Sequence, residues 1–443
     1  MSTTIIALST PPGTGGIAVI RISGSKTIDI MSKLISGKLS VDKWEPRKLY
    51  NIAVNTAGFV ERGLGVIFRA PNSYTGEDLG ELHVHGSMAI VDGILRAAGN
   101  LGAVPAARGE FSMRAFLHGK IDLTAAEGIR DLINSETEAQ ITAAQSLTGG
   151  KLYKHINQMQ SKLSELMASI EVIIDYPEED IAPPTDMMCA IEQLSQQAAG
   201  LLDSYKIGHL VKNGVKVAIV GEPNVGKSTL FNALLGSNRA IVSQQAGTTR
   251  DTLSDWYIHS GVKFELIDTA GLRDTDCLIE QEGIIRARQA ANTADFSLLV
   301  VSASAQNNDN PSNNLDPIGP NIVIYNKSDL VNIPKSTHTA QPGLFVSALT
   351  GHNIDKLKDT IYLSTIGKEE IPALMLTSNR QYSSIADAKA SLEQAKNALI
   401  TGNPLDCISV DLFGAYKALG KITGKTAESD IVGEIFAGFC VGK

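Results

Sequence analysis

The stretch GEPNVGKST constrains the fold of this chain more than any other. It matches the pattern G-x-x-x-x-G-K-[ST] and lies between the apolar run VKVAIV and the helical sequence STLFNALLG. In that context Gly221 and Gly226 let the backbone wrap closely around phosphates, and the helix N-terminus meets their negative charge. Lys227 would reach the β- and γ-phosphates, and Ser228 would offer a hydroxyl to Mg²⁺. The stretch therefore predicts a nucleotide-binding domain.

Residues 214 to 369 alternate between strand and helix patterns. The strand candidates are near-continuous apolar runs, which are typical of a parallel sheet covered on both faces. They are VKVAIVG, FELIDT, SLLVVS, NIVIYN and GLFVSA. The connection SASAQNNDNPSNNLDPIGP is rich in Asn and Pro, so it predicts a loop or a degenerate helix. The segment is predicted to be an α/β, Ras-like P-loop domain.

The motif NKSD, which ends at Asp329, identifies the base. An aspartate carboxylate can accept hydrogen bonds from guanine N1–H and from the exocyclic amine. Adenine lacks this donor pair and would leave the carboxylate unpaired, so the site should reject ATP. The run Ser347-Ala348-Leu349 fits the backbone support behind the guanine oxygen. GTP is therefore the predicted nucleotide.

Two further motifs complete the phosphate site. DTAG places Asp268 near the metal and gives Gly271 an amide that can contact the γ-phosphate. GTTRD lies where the first switch loop should be, with Thr249 as the second Mg²⁺ hydroxyl. Four motifs in this order and spacing predict GTP binding.

Leu272 stands where many GTPases carry a glutamine that positions the attacking water. Leucine cannot donate or accept a hydrogen bond, so another group must place the water and another charge must neutralise the transition state. Asn224 could ligate a monovalent cation, or it could only shape the loop. Glu280 could act through a bridging water, or it could be a solvated switch residue. Arg250 and Arg273 are alternative arginine fingers.

The regions on either side of this domain have different sequence patterns. Residues 1 to 119 contain Gly-rich β-like runs such as GIAVIRIS, RGLGVIFRA and GELHVHG, which predict an α+β domain. Residues 120 to 213 and 370 to 443 have helical patterns. Apolar stripes from Leu152 to Ile173 and from Ile385 to Leu399 are predicted to pack in one bundle. The sequence therefore predicts a helical domain in two segments with the nucleotide-binding domain inserted.

Composition and charge limit the binding partners and the cellular compartment that can be expected. The net charge of −8 argues against broad adhesion to nucleic acid or anionic membrane, although a local basic patch is allowed. The cysteines Cys189, Cys277, Cys407 and Cys440 are far apart, which indicates neither a disulfide framework nor a zinc site. No signal peptide or long apolar run is evident. We expect a soluble, cytoplasmic protein without a membrane partner.

Over essentially its full length, the sequence resembles the MnmE (TrmE) family of tRNA-modification GTPases. Several of the matches lie outside the nucleotide-binding domain, which separates this family from other GTPases. The matching motifs are TPPGTGGIAVIRISG, PNSYTGEDLGELHVHG, RGEFSMRAFLHGKIDLTAAEGIRDLI, GEPNVGKSTLFNALLG, GTTRD, DTAGLR and the terminal FCVGK.

The resemblance implies a homodimer formed through the N-terminal domain. That domain would bind 5,10-methylene- or 5-formyl-tetrahydrofolate through four residues: Arg21, Glu81, Lys120 and Lys443. In a heterotetramer with the FAD-containing MnmG (GidA) protein, the family modifies carbon 5 of the wobble uridine, position 34, of certain tRNAs. The product carries a carboxymethylaminomethyl or aminomethyl group from glycine or ammonium. The alternative is a GTPase switch in ribosome assembly, which has no evident need for folate motifs.

The resemblance also implies that the GTPase domains dimerise across K⁺ and that Glu280 is the catalytic glutamate. The implied K⁺ ligands are the side chain of Asn224 and the carbonyls of Ser243, Gln245 and Thr248. The full predicted GTP-binding set is Asn224, Val225, Gly226, Lys227, Ser228, Thr229, Ser243, Gln244, Gln245, Ala246, Gly247, Thr248, Thr249, Asp268, Thr269, Ala270, Gly271, Asn326, Lys327, Asp329, Ser347, Ala348 and Leu349.

Three residues near the predicted folate site have open roles. His83 and His85 would share one face of a strand, either as a metal pair or as ordinary packing and pocket polarity. The resemblance places the tail with Cys440 and Lys443 near the folate. Cys440 is then either a catalytic thiol or a buried structural one.

Overall fold

The computed structural model describes residues 3–37, 39–176, 186–236, 255–268, 293–305, 321–331, 343–368, 370–427 and 429–443. Two compact units divide the chain. Unit 1 comprises Met1–Ile133, Gln145–Ala198 and Ser383–Lys443, and unit 2 comprises Asn134–Ala144 and Ala199–Tyr382. The domain limits expected at 119, 213 and 369 remain predictions.

In the described part of unit 1, seven strands form one sheet in the order β3-β4-β5-β6-β2-β1-β7. Neighbouring strands are antiparallel except for β1 and β7. The predicted runs GIAVIRIS, RGLGVIFRA and GELHVHG are confirmed as β2, β5 and β6. The strands are β1 Ile5–Leu8, β2 Gly15–Ser23, β3 Ile35–Ser36, β4 Tyr50–Asn55, β5 Val60–Phe68, β6 Leu79–Gly86 and β7 Val104–Pro105.

Helices connect and cover the strands. Among those described, none is long and apolar enough to cross a membrane. The helices are α1 Thr27–Leu34, α2 Met88–Asn100, α3 Glu110–Leu117, α4 Leu123–Ile133, α5 Glu138–Thr148, α6 Lys151–Asp175, α7 Met187–Asn213, α8 Lys227–Leu235, α9 Ile354–Thr365, α10 Asn379–Ile400, α11 Leu405–Thr423 and α12 Ser429–Ala437.

The sheet of unit 1 buries one face of β2, while Arg21 lies on the other face together with Val19 and Ser23. Ile20 and Ile22 are fully buried in a core shared with Ile30 and Ile94 of α1 and α2. Side chains alternate along a strand, so Arg21 lies on the opposite face. The sequence alternation of β2 thus places a cation on the face that carries the candidate site.

The helical part of unit 1 is built around the two apolar stripes. Leu152 and Ile385, which begin them, are each fully buried, as the stripes predicted. Helix α6 packs chiefly against α11, where the Gln160 side chain donates to the Tyr416 carbonyl at 3.1 Å. The α10 stripe belongs to the same unit. The sequence identified the buried faces, while the principal partner of α6 is a helix that it did not single out.

Unit 2 contains the inserted α/β fold. Its described strands form a sheet in the order β13-β12-β11-β8-β10-β9, parallel except for β9. All five strand runs predicted for this domain are confirmed. The predicted loop that begins SASAQ forms a short 3-10 helix at 303–305, and 306–320 lie outside the described residues. The strands are β8 Val215–Gly221, β9 Asp255–His259, β10 Val262–Asp268, β11 Phe296–Ser302, β12 Asn321–Asn326 and β13 Gly343–Phe345.

Candidate functional site

The glycine-rich loop between β8 and α8 is shaped by residues with special backbone requirements. A Cβ on Gly221 would stand 2.3 Å from the Val300 carbonyl oxygen, so only glycine fits there. Asn224 and Gly226 have φ angles of 64° and 92°, in the left-handed region. Strand β8 is central in a parallel sheet, and its carboxyl end is where such sheets bind ligands. The loop is therefore a phosphate cradle.

Lys227 is the first residue of α8, and its side chain folds back onto the glycine-rich loop. Its ammonium donates to the carbonyls of Gly221 at 2.9 Å and Glu222 at 2.8 Å. The first-turn N–H groups of a helix have no intrahelical partner, and Ser228 and Thr229 lie exposed in that turn. A phosphate at this position would meet N–H groups, two hydroxyls and a positive charge.

Asn326, which ends β12, joins the phosphate loop to the base-binding segment. It is 2% exposed. Its Nδ2 donates to the Val225 carbonyl at 2.9 Å, and its Oδ1 accepts from the Ala348 N–H at 3.1 Å. The NKSD motif, the phosphate loop and the segment around residue 348 are thereby held as one assembly.

The remaining described residues of the base site surround Asp329. Lys327 has a φ of 62°, and its ammonium donates to the Asn224 carbonyl at 2.7 Å. The buried Ser347 hydroxyl donates to Asp329 Oδ1 at 2.6 Å. Asp329 is itself exposed, and Leu349 is 80% exposed. The carboxylate is thus oriented by a fixed donor while it stays accessible to a ligand.

Both switch motifs fall outside the described residues, so their roles stay predictions. Of Asp268 only the backbone at the end of β10 is described. The predicted residues outside the described ranges are Ser243, Gln244, Gln245, Ala246, Gly247, Thr248, Thr249, Arg250, Thr269, Ala270, Gly271, Leu272, Arg273 and Glu280.

A second polar site lies on the N-terminal sheet. Arg21 and Glu81 are paired across β2 and β6, with Nη2–Oε1 and Nε–Oε1 distances of 2.8 and 3.0 Å. Their side chains are 19% and 15% exposed. The guanidinium carbon lies 5.6 Å from the ring centre of Tyr74 and 5.8 Å from that of Phe111. The Phe111 ring is fully buried, whereas the Tyr74 ring is half-buried. The site therefore combines an ion pair with one accessible aromatic ring, which suits a flat ligand that carries polar groups.

Sequence reasoning missed the polar residues that hold the loop 73–77, which contains Tyr74. Arg114, 7% exposed, reaches Glu77 Oε2 at 3.0 Å and Glu110 Oε1 at 2.8 Å. Glu77 Oε2 also accepts from the Ser23 hydroxyl at 2.8 Å. These side chains fix the loop 73–77. The signal was present, since Glu77 and Arg114 both lie in motifs that carry the family resemblance, PNSYTGEDLGELHVHG and RGEFSMRAFLHGKIDLTAAEGIRDLI.

Lys120 approaches the same loop, and the tail docks on the sheet nearby. The Lys120 Cε lies 3.4 Å from the position of a Cβ built on Gly76. The Ser9 hydroxyl donates to the Gly442 carbonyl at 3.0 Å, and Lys443 follows directly. In the sheet, Leu8 neighbours Ala7, which is paired with Arg21. The structure thus gathers Arg21, Glu81 and Lys120 around one loop and places Lys443 at the end of β1.

Cys440, in the docked tail, is exposed. Its carbonyl accepts from the Gly109 N–H at 3.4 Å, and Val441 forms an isolated bridge with Arg108. The expectation of a buried structural thiol is therefore wrong. The main chain of the tail is anchored, while the residue Cys440 is exposed.

His83 and His85 each have a carboxylate neighbour of their own. His83 Nε2 lies 3.3 Å from Glu81 Oε2, and His85 Nδ1 lies 2.6 Å from Glu61 Oε1. Within the described ranges, no group of three or more His, Cys, Asp or Glu side chains could hold a metal ion. His83 thus extends the Arg21–Glu81 pair along the strand.

Comparisons with known proteins cover both ends of the chain. A family profile described as "GTP-binding protein TrmE N-terminus" matches residues 4–120, and one described as "MnmE helical domain" matches residues 123–440. The tRNA modification GTPases MnmE of Streptococcus thermophilus and Clostridioides difficile are each 36% identical to the chain. The alignments cover 99% of this chain and 98% and 99% of those proteins. A crystal structure of Aquifex aeolicus Era bound to GDP·AlF4⁻ is 30% identical over 40% of this chain and 66% of that chain, with a TM-score of 0.27.

The phosphate loop after β8 and NKSD after β12, joined through Asn326, define a P-loop GTPase, an enzyme that hydrolyses GTP. The N-terminal and helical matches narrow that class. The chain belongs to the MnmE (TrmE) family of tRNA modification GTPases.

Proposed function

We propose that this chain couples GTP hydrolysis to the modification of carbon 5 of the wobble uridine, position 34, in certain tRNAs. It works in the cytoplasm, as a homodimer, in a heterotetramer with the FAD-containing MnmG (GidA) protein. The added group is carboxymethylaminomethyl or aminomethyl. The observation that carries the proposal is the family match over 99% of the chain, which includes the N-terminal sheet with its Arg21–Glu81 site.

The hydrolytic step requires positioning and charge stabilisation rather than covalent chemistry. Lys227 and the amides of the phosphate loop would bind the phosphates, and Ser228 with Thr249 would hold Mg²⁺. The exposed Asn224 carries an amide oxygen in the loop, and oxygen is the donor that an alkali cation requires. With Ser243, Gln245 and Thr248 it would hold K⁺, which supplies the positive charge that an arginine finger supplies elsewhere. Glu280 orients the water, directly or through a second water.

The N-terminal site fits a tetrahydrofolate. The half-buried Tyr74 offers a ring beside Arg21, while Glu81 and Lys120 provide an acceptor and a cation for the polar edge and the carboxylates. Lys443, held at the end of β1 by the docked tail, adds a further cation. When bound, the folate supplies the one-carbon unit of the new substituent.

GTP turnover in K⁺ and in Na⁺ at equal ionic strength tests the hydrolytic part. Asn224→Ala should abolish K⁺ stimulation. Asn232→Ala is the matched control, since Asn232 is exposed on α8 outside the loop and should keep the stimulation. Equal turnover in both salts by the unmodified chain would mean that Asn224 only shapes the loop and that Arg250 or Arg273 supplies the charge.

Nucleoside analysis of tRNA tests the biological part. A strain without the gene should lack the wobble modification, and the gene should restore it. Normal tRNA together with accumulated ribosome precursors would instead support a GTPase switch in ribosome assembly.

A further inference from the structure

His118 and Lys120 follow the end of α3 and lie against the loop 73–77 of the N-terminal site. The His118 N–H donates to the Arg114 carbonyl at 2.9 Å, and the Lys120 N–H donates to the Ala115 carbonyl at 2.8 Å. The last turn of the helix therefore fixes the main chain that carries both side chains. Both residues are exposed, so a ligand can reach them.

Gly76 lets these two side chains approach the loop together. It has a φ of 79°, in the region that favours glycine. The position of a Cβ built on Gly76 lies 3.0 Å from the His118 Cβ, 3.4 Å from the His118 Cγ and 3.4 Å from the Lys120 Cε. The imidazole and the end of the lysine side chain are thus neighbours beside one glycine.

A hydrogen bond to the same loop fixes the tautomer of His118. Its Nδ1 lies 2.7 Å from the Thr75 carbonyl oxygen. A carbonyl oxygen only accepts, so Nδ1 carries the hydrogen and Nε2 of the neutral ring is an acceptor. Thr75 is fully buried, and its hydroxyl lies 2.7 Å from that of Ser23, so the carbonyl that orients the ring is itself held. Among the described residues, the ring makes no other hydrogen bond, and Nε2 stays available to a ligand.

Lys120 supplies a cation beside this acceptor. Its ammonium forms no hydrogen bond or ion pair with another described residue. An ammonium has three donors and no acceptor, so its natural partner is a carboxylate. A donor cation next to an acceptor nitrogen matches a ligand that carries a carboxylate and an N–H on one carbon. Folates end in such a group, because the amide N–H of their glutamate is attached to the carbon that bears the α-carboxylate.

The loop also connects this pair to the aromatic part of the site. Tyr74, whose ring centre lies 5.6 Å from the Arg21 guanidinium carbon, precedes Gly76 by two residues. A flat ligand with its ring system beside Tyr74 would therefore extend along the loop toward His118 and Lys120.

We infer that His118 Nε2 accepts a hydrogen bond from the glutamate amide N–H of the folate, while Lys120 binds the adjacent carboxylate. The inference rests on the proposed function, because the ligand is the tetrahydrofolate of that proposal. It makes His118 a further ligand-binding residue, and it makes the site select for ligands that carry the glutamate.

Isothermal titration of the full chain with 5-formyl-tetrahydrofolate and with 5-formyl-tetrahydropteroate, which lacks the glutamate, tests this inference. Two replacements separate the two ring nitrogens. An Asn side chain can donate from near the position of Nδ1 but has no atom at Nε2, whereas a Gln side chain brings its amide close to Nε2. His118→Asn should bind the folate roughly 3- to 10-fold more weakly, and His118→Gln should keep most of the affinity.

The pteroate serves as an internal control for folding. Both variants should bind it as well as the unmodified chain does, because it has no glutamate amide to lose. His209→Asn is the matched control variant, since His209 is an exposed histidine on α7, and it should bind both ligands normally.

Equal folate affinities in all variants would overturn the inference. Weaker binding by His118→Gln with normal binding by His118→Asn would also overturn it, because His118 would then hold Thr75 rather than the ligand. So would an equal loss of affinity for both ligands in His118→Asn, which would exclude a contact with the glutamate.

The proposed function is read separately from the tRNA nucleosides. If the gene fails to restore the wobble nucleoside, the function itself is wrong. If the gene restores it and the unmodified chain binds the folate, while His118→Asn binds the folate normally, only the role of His118 is wrong. If the unmodified chain binds neither ligand, the folate site is wrong, and the inference fails with it.

Discussion

The hydroxyl of Ser347 lies 2.6 Å from a carboxylate oxygen of Asp329. Ser347 is 1% exposed, and its own N–H donates to the His352 carbonyl, so the donor is fixed by the fold. The exposed carboxylate is thereby held in one orientation. Base selectivity should consequently depend on the chemistry of this one side chain.

Replacing Asp329 by Asn should exchange guanine for xanthine. An amide presents a donor where the guanine amine needs an acceptor, whereas xanthine carries a carbonyl at that position. We expect GDP affinity to fall roughly 100-fold or more and XDP affinity to rise, measured with fluorescent nucleotides. Asp355→Asn, an exposed carboxylate on α9, should leave both affinities unchanged. An unaltered preference for GDP in Asp329→Asn would contradict the assignment.

Asn326→Ala should loosen the phosphate loop. The substitution leaves the Val225 carbonyl and the Ala348 N–H without the partners that Asn326 provides. Unsatisfied buried groups cost about 1–3 kcal/mol each, so even one of the two losses corresponds to roughly 5- to 150-fold weaker GDP binding. Isothermal titration of the variant against Asn232→Ala would measure this. Equal affinities in the two variants would show that the bridge has no role in shaping the loop.

Arg114→Met should destabilise unit 1 much more than Lys33→Met. Arg114 is buried and pairs with Glu77 and Glu110, so its removal leaves two carboxylates without their cation. Breaking a buried pair costs about 3–5 kcal/mol, whereas an exposed i,i+4 pair such as Lys33–Asp29 contributes about 0.3–0.5 kcal/mol. Urea unfolding monitored by circular dichroism gives both values. Similar midpoints for the two variants would refute the difference.

Gly442→Ala should release the tail from the sheet. Gly442 has a φ of 90°, and a Cβ would stand 2.1 Å from the Leu8 carbonyl oxygen. Hydrogen exchange of residues 439–443 should therefore become faster, and folate binding should weaken if Lys443 contributes. Gly433→Ala is the control, because a Cβ there meets nothing within 4 Å. Unchanged exchange in Gly442→Ala would show that the tail does not depend on this contact.

His155 should make stability depend on pH. Partial burial lowers the pKa of its imidazole from the ordinary value of 6.5. Between 6.5 and that lower value the unfolded chain binds more protons than the folded one, so stability falls as the pH falls through this window. NMR titration of the ring should give a midpoint below 6.5. His155→Gln should flatten the dependence of the unfolding midpoint on pH, and a midpoint above 6.5 would contradict the burial argument.

Much of unit 2 could be predicted because each of its strands can be recognised from its own sequence. A strand buried on both faces must be apolar throughout, so runs such as SLLVVS and NIVIYN mark β11 and β12 without knowledge of their neighbours. The phosphate loop has fixed backbone requirements, and glycines satisfy them visibly in the sequence. In both cases the residues that identify the element in the sequence are the same residues that form it in the structure.

The contacts that complete the N-terminal site could not be predicted in this way. Periodicity shows which face of α6 is buried, but it does not show that α11 covers it. The apolar alternation of β2 does not reveal that Glu77 and Arg114 would pair within the same site. Such pairings depend on shape complementarity across long sequence separations, which no local pattern records.

The docking of Gly442 on Ser9 joins residues that are 433 positions apart. A ribosome adds about 5–20 residues per second, so roughly 20–90 s separate the synthesis of these two residues. During that interval β1 must remain soluble without the strand-like tail that later covers its end. This corner of the sheet therefore cannot be completed before residue 442 has been synthesised, and a nascent chain stalled in unit 2 would leave it uncovered.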